Sequence, residues 1–393
     1  MPDTIIELLG QYKHHLDKFG WYEVNGRRYL HKITAGQTVD QQWDQVKFNF
    51  NDEVFDSYDW TKEPEPSVPL TEFYRRRAQR LRDKYEYLVL MYSGGPDSQN
   101  VLDSFVDNDI FIDEIVNVNS YDRTRVTDRT VHNADWIFNA KPVLDRLVHN
   151  GSLRSRITVI DEIELGKQCL RDIELRGDYE LAFDANGWTS QVLFKGTWVK
   201  YVPHLWQMIL DGKKLGVIIA SEKPRLLIDQ KDRYFTSWFD LSLVTKHLAL
   251  SEDVVLRNLD FDEQFYCDPS CMDLMAKQLH VLKNFMEHHR QDEFYGDHVH
   301  RYRRRRTHTC VSKYNKMHLS YAAFHKIIYP KWNPAIVTPK PAVTGTKKPA
   351  RMEDNWWLDK FSPEETRFWN LCVKKRDSYN HIPLLFSKPI YIE

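Results

Sequence analysis

The 393-residue chain is poor in cysteine, with five residues in all. That is too few for a disulfide framework, so a reducing, cytoplasmic setting is expected. No run of about 18 apolar residues occurs, which argues against a membrane-spanning helix. The opening MPDTIIELLG carries acid and no cationic stretch, unlike a secretory leader. Neither sign of charge dominates: 55 Lys and Arg oppose 56 Asp and Glu, for a net charge of −1. A surface devoted throughout to nucleic acid is therefore not expected, although a local basic patch stays open. With 42% hydrophobic residues the chain is also no charged, disordered polymer. No internal repeat is found, nor any GxxxxGK[ST], GxGxxG or GxSxG motif. Aromatics are plentiful: 12 Trp, 20 Tyr and 20 Phe make up 13% of the chain. They concentrate in 20–60, 194–206, 234–240 and 356–369 and are expected to cement flanking elements onto a core.

The length suits two to three domains of about 150 residues. Residues 1–68 read as a mixed α+β extension. Asn25-Gly26 between WYEV and RRYLHK signals a hairpin. The aromatic run VKFNFNDEVF (46–55) reads as β, and TKEPEPSVP (61–69) as a linker. Residues 69–235 alternate between helix and strand. LTEFYRRRAQRLRDKY (70–85) has helical spacing with a basic outer face. YLVLMY (87–92), IDEIVNVNSY (112–121), RITVID (156–161) and LGVIIASE (215–222) read as strands. QNVLDSFVDN (99–108), NADWIFNAKPVLDRLVHN (133–150, interrupted near Pro142) and VPHLWQMILDG (202–212) read as helices. The fold class is thus α/β with a mainly parallel sheet and flanking helices. Residues 236–393 look mostly helical, from Met272 and again over 355–372, around a Pro- and Lys-rich arm at 330–351.

Chemistry concentrates in Ser93-Gly94-Gly95-Pro96-Asp97-Ser98, between a strand and a helix. Two glycines let the backbone turn tightly and approach an anion. Backbone N–H groups and the start of the following helix favour a phosphate there. Ser93 and Ser98 add hydroxyls, and Asp97 can hold Mg²⁺ or cap the helix. The plain alternative is a capped strand–helix turn. Ser221-Glu222-Lys223-Pro224-Arg225 follows a later strand, so Lys223 and Arg225 should reach the same crevice, as phosphate ligands or as a solvated turn.

At these residues the chain resembles the PP-loop family of ATP pyrophosphatases, whose members carry SGGxDS after the first strand. These include adenosine-phosphosulfate reductases, tRNA thiolases, lysidine synthetases and the ATP domains of GMP and asparagine synthetases. Within that family the chain is similar to phage- and bacterium-encoded phosphoadenosine phosphosulfate reductase-like proteins. The resemblance spans about 150 residues, from Leu70 to about Arg225. It implies an adenine nucleotide alpha hydrolase-like (HUP) core that takes ATP with Mg²⁺. It further implies adenylation of an acceptor with release of pyrophosphate, in nucleobase or tRNA modification or in sulfur-related metabolism. Ser93, Gly94, Gly95, Asp97 and Ser98 would bind the nucleotide, and Asp97 the metal. Asp97, Lys223 and Arg225 would take part in the chemistry. Asn119 and Ser120, near Asn117 and Tyr121, lie where the family places adenine. Many members carry Ser or Thr after the motif, where this chain has Gln99.

Two further features leave alternatives open. Cys267 and Cys271, with Cys310 and His288, His289, His298 and His300, admit a zinc site or buried thiols and solvated imidazoles. Their spacing matches no standard zinc knuckle, reductase cysteine segment or cluster-binding CxxC pair. The stretch HVHRYRRRRTH (298–308), with Arg301 to Arg306, reads as a tRNA or DNA contact or as a face balanced by nearby acids. The alternative function is a non-catalytic nucleotide- or nucleic-acid-binding module, or an adenosine-phosphosulfate-binding protein without reductase activity.

Overall fold

The structure, a computed structural model, describes residues 20–29, 32–50, 52–60, 67–119, 136–176, 202–220, 223–229, 233–238, 262–288, 299–301, 317–319, 327–331, 361–377 and 387–392, with the single residues 199, 231, 240 and 385. Asn25-Gly26 turns the first hairpin, between β1 (Trp21–Val24) and β2 (Arg27–Tyr29). Both residues have positive φ, 50° and 74°, which matches the twist of a two-residue hairpin. Helix α1 (Lys32–Gln37) follows, and β3 (Lys47–Asn49) then pairs with the other side of β1. The run read as β across 46–55 does not stay extended, because Asp52–Asp56 form a helix, α2. Glu53 lies in its first turn, where a carboxylate complements the helix dipole, and Phe55 points into the core.

Helix α3 (Leu70–Lys84) buries Leu70, Phe73, Tyr74, Arg77, Ala78 and Leu81, the stripe that a 3.6-residue period predicts. Its basic face is not wholly external. Arg77 lies on the buried stripe and donates to Ser270 Oγ (3.0 Å) and the Gln264 carbonyl (3.1 Å). Arg75 and Arg76 pair instead with Glu72, and their hydrogen bonds bring that carboxyl down to about 2.

The core is an α/β unit. Strand β4 (Tyr87–Met91) leads to α4 (Pro96–Val106), β5 (Glu114–Asn119), a π-turn at Trp136–Ala140 with α5 (Lys141–His149), and β6 (Arg156–Asp161). Pro142 sits in the first turn of α5, directly after the π-turn, so the helical stretch 136–149 changes form near Pro142, where the sequence places its interruption. Helix α6 (Glu162–Arg176) has no counterpart in the sequence reading. Helix α7 (Pro203–Leu210) and β7 (Leu215–Ile219) close the unit.

Strands β6, β5, β4 and β7 lie side by side and parallel, with β10 (Asp262–Gln264) added at the β7 edge. The sheet therefore extends past the 69–235 span read from sequence. Leu88, Val89 and Leu90 of β4 are fully buried, as expected for a strand covered on both faces. From β4 the chain moves outward to β5 and β6, then crosses back to β7 and later β10. The direction of winding reverses at β4, and ligand crevices of open α/β sheets form at the carboxyl end of such a reversal.

Helix α8 (Met272–His288) packs on α3, and Phe265 and Tyr266 pack edge-to-ring beside Tyr74. A second sheet joins β8 (Leu227–Ile228), β9 (Tyr234–Thr236) and β13 (Ile390–Tyr391). Strands β11 (Val299–Arg301) and β12 (Met317–Leu319) form a separate antiparallel pair, and α9 (Pro363–Asp377) contacts α6. Aromatics tie the amino-terminal elements to the β9 region, with the Trp238 ring packed at a tilt 5.6 Å from Phe55 and 6.4 Å from Trp60. Beneath them a fully buried ion pair joins Lys32 to Asp240 at 2.6 Å.

No helix among the described residues is long and apolar enough to cross a membrane.

Candidate functional site

The loop Ser93–Ser98 sits at the reversal. Tyr92 still donates its N–H to Val116 of β5 (2.8 Å), after which the chain leaves the sheet. Gly94 then adopts φ +79°. A Cβ there would lie 2.7 Å from both Cβ and N of Ala140, at the end of the π-turn. Gly94 is thus where two backbones close on each other. Gly95 differs: it caps α4 with φ −77° and ψ 164°, and an added Cβ would meet only Ser93 Oγ at 3.4 Å. Pro96 opens the helix.

The loop is braced by its own hydroxyls. Ser98 Oγ donates to the Gly95 carbonyl (3.1 Å) and lies 3.2 Å from Ser93 Oγ, which accepts the Gly95 N–H at 3.3 Å. Pro96 supplies no N–H and Gln99 donates to the Gly95 carbonyl at 2.9 Å, so α4 offers an anion the positive end of its dipole and at most the N–H groups of Asp97 and Ser98.

Lys223, just beyond the end of β7, reaches this loop. Its ammonium lies 2.5 Å from Asp97 Oδ2, with its side chain only 7% exposed. The other carboxylate oxygen, Oδ1, accepts the Tyr329 hydroxyl at 2.5 Å. The Asp97 carbonyl accepts the Tyr266 hydroxyl at 2.7 Å, and Tyr266 in turn accepts from Asn100 Nδ2 at 3.0 Å. Burial raises the pKa of both phenols, which keeps them neutral and able to donate.

Among the residues singled out from sequence, the structure therefore joins Ser93, Gly95 and Ser98 to one another and Asp97 to Lys223. Arg225 is exposed beyond Lys223. Asn119 ends β5, whereas Ser120 and Tyr121 lie outside the described residues. Asn117 is buried and donates to the Tyr92 carbonyl at 2.7 Å, while its Oδ1 has no hydrogen-bond partner among the described residues. Gln99 faces the core rather than the loop mouth. Its amide oxygen accepts the Tyr92 hydroxyl (2.6 Å) and its Nε2 donates to Asp103 (2.7 Å). Burial raises the Asp103 carboxyl, an effect this amide opposes.

Tyr266, Tyr329 and Ala140 are the site neighbours that sequence reasoning missed. Nothing adjacent to them in sequence marks them, since each is brought in by tertiary packing.

A magnesium ion on Asp97 would have to displace an ammonium or a phenol, since both carboxylate oxygens are taken. Among the described residues no group of three or more His, Cys, Asp or Glu is placed to hold a metal. The residues present do not fit a metal held by the protein at Asp97. Cys267 and Cys271 are buried thiols, and Cys271 Sγ lies 3.3 Å from the Asp268 carbonyl. Burial pushes the Cys271 thiol up to about 11. In the folded chain at pH 8, iodoacetamide should modify Cys271 at least about 100-fold more slowly than an open thiol, because the thiolate is scarce and covered. Mass spectrometry of the labelled peptide checks this, and labelling at the open rate would contradict the burial. Cys310, His289, His298 and residues 302–306 lie outside the described residues.

No protein-family model matches the chain, and no curated protein matches it either.

Proposed function

We propose that the chain binds ATP at Ser93–Ser98 and acts as an ATP pyrophosphatase of the PP-loop kind, adenylating an acceptor and releasing pyrophosphate. The observation that carries this reading is the meeting of a glycine-turned helix start with Lys223 at the carboxyl edge of the sheet, where its winding reverses. The strand order β6-β5-β4-β7-β10 supports an adenine nucleotide alpha hydrolase-like core. In this reading an acceptor oxygen attacks the α-phosphorus, forming one P–O bond as the bond to pyrophosphate breaks. The α4 N–H groups and Lys223 stabilise the charge gathering on the leaving pyrophosphate, and Arg225 adds a second cation from the same loop. Catalysis rests on positioning and electrostatics rather than on a covalent intermediate. The acceptor belongs to nucleobase, tRNA or sulfur chemistry, as the motif's resemblance implies.

The two-sided hold on Asp97 favours a second reading, a nucleotide- or adenosine-phosphosulfate-binding module that does no chemistry. Incubation with ATP, magnesium and cell extract separates the two. AMP and pyrophosphate are expected from the enzyme; ATP binding without either product leaves the binding module. Gly95→Val tests the cradle itself. The φ at this position suits a side chain, so unfolding stability should stay within about 1 kcal/mol. ATP affinity by titration calorimetry should fall at least about tenfold. Unchanged affinity would remove the phosphate from this loop.

A further inference from the structure

Tyr329 lies 232 positions from Asp97 in sequence, yet its hydroxyl contacts the Asp97 carboxylate directly. Its segment, residues 327–331, is fastened at several points. The Ile328 carbonyl accepts the Tyr74 hydroxyl at 2.9 Å, and Lys331 pairs with Asp107, the residue that caps the far end of α4, at 2.5 Å. The Tyr329 ring packs 5.8 Å from that of Tyr266, whose own hydroxyl holds the Asp97 carbonyl. The phenol thus has little freedom to leave.

We propose that Tyr329 is a positioning residue for the Ser93–Ser98 site, fixing the Asp97 carboxylate so that this carboxylate holds the Lys223 ammonium at the loop. The link from Tyr329 to Lys223 stands on geometry alone; its bearing on nucleotide rests on the ATP reading above. The physical case is one of shared valence. A carboxylate has two oxygens; Tyr329 takes one and Lys223 the other. A lysine stem loses considerable rotamer freedom when its head is held, so a carboxylate locked in advance lowers what each binding event must order. When an anion draws Lys223 toward the loop, the hydrogen bond from Tyr329 still serves Asp97. The carboxylate is then not left bare in a partly buried site. A segment far from the nucleotide motif in sequence thereby sets the cation of the phosphate loop.

The test uses the full chain and Tyr329→Phe, which keeps the ring and removes only the hydroxyl. Without ligand, acetic anhydride labelling with peptide mass spectrometry measures the reactivity of Lys223. Lys277, 6% exposed on α8, serves as an internal control. The expected result is several-fold faster labelling of Lys223 in the variant with Lys277 unchanged. An unchanged Lys223 rate, or an equal rise at Lys277, would overturn the proposal by showing no link or mere loosening. Pyrophosphate titration then follows for wild type, Tyr329→Phe, Lys223→Met and the double variant. Tyr329→Phe should weaken pyrophosphate binding by up to about tenfold, the range of a hydrogen bond to a charged group. The double variant should bind no more weakly than Lys223→Met alone. Fold losses that multiply would overturn the proposal, because two independent effects are additive in free energy. Failure of wild type to bind pyrophosphate would sink the ATP reading, while the labelling result still decides whether Tyr329 positions Lys223.

Discussion

Gly94→Ala should lower the unfolding free energy by about 2–6 kcal/mol, while Gly95→Ala changes it by less than about 1 kcal/mol. The two glycines look equivalent in the motif and differ in the fold. Gly94 has φ +79°, where an L side chain costs about 1–3 kcal/mol. The added methyl would also sit 2.7 Å from the Ala140 Cβ and backbone nitrogen. Ala140 is fully buried at the end of the π-turn, so relief requires moving backbone. Overpacking of that kind costs about 1–3 kcal/mol more. Gly95 has an ordinary φ and space beside Ser93. Urea unfolding of both variants measures the contrast. Equal losses would mean that the turn is not organised around Gly94. The pair also separates fold from ligand: Gly94 serves backbone closure, whereas under the proposed ATP reading Gly95 is the position from which a side chain would obstruct an anion.

Asp240→Ala should cost about 3–5 kcal/mol, the usual penalty for breaking a buried ion pair by removing one member. Lys32 and Asp240 are both fully buried. Asp240 also accepts the Tyr22 hydroxyl (3.0 Å) and the Leu385 N–H (3.2 Å), and its own N–H donates to the Leu385 carbonyl (3.1 Å). One side chain thus serves β1, α1 and the segment leading to β13. Its removal takes one acceptor away from an ammonium, a phenol and a backbone N–H at once. Unfolding midpoints in urea, with hydrogen exchange of β1 amides as a local probe, should both show the loss. The double replacement Lys32→Met with Asp240→Leu should recover much of it, since no unpaired charge remains. A single-variant loss below about 1 kcal/mol would mean that water reaches the pair.

Much of the core was legible because its causes are local. A continuous apolar run between turn residues reads as a strand buried on both faces, and YLVLM is one. Asn-Gly reads as a hairpin turn because both residues tolerate positive φ, as they do here. The spacing of Leu70, Phe73, Tyr74, Arg77, Ala78 and Leu81 gives α3 its buried stripe, although its charge made Arg77 look external. The 46–55 run was misread because aromatic alternation fits a strand up to Asn49 and says nothing of the acidic helix start that follows. The candidate site was legible as a motif, not as an environment. Gln99 looked like a missing loop hydroxyl and is a core bridge between Tyr92 and Asp103. Asp97 looked like a metal ligand, and its oxygens are held by Lys223 and Tyr329.

The sequence by itself determined the α/β core, the glycine turn and the helix start that follows it. Backbone preference and apolar periodicity act within a few residues, so they can be read along the chain. Only the tertiary structure decided which glycine is conformationally required and which side chains occupy Asp97. It also decided how one buried carboxylate joins β1, α1 and the segment before β13. The hold on Asp97 and the links of Asp240 depend on groups more than 100 positions apart, and the Gly94 contact depends on Ala140, so their spacing in sequence carries no trace of them.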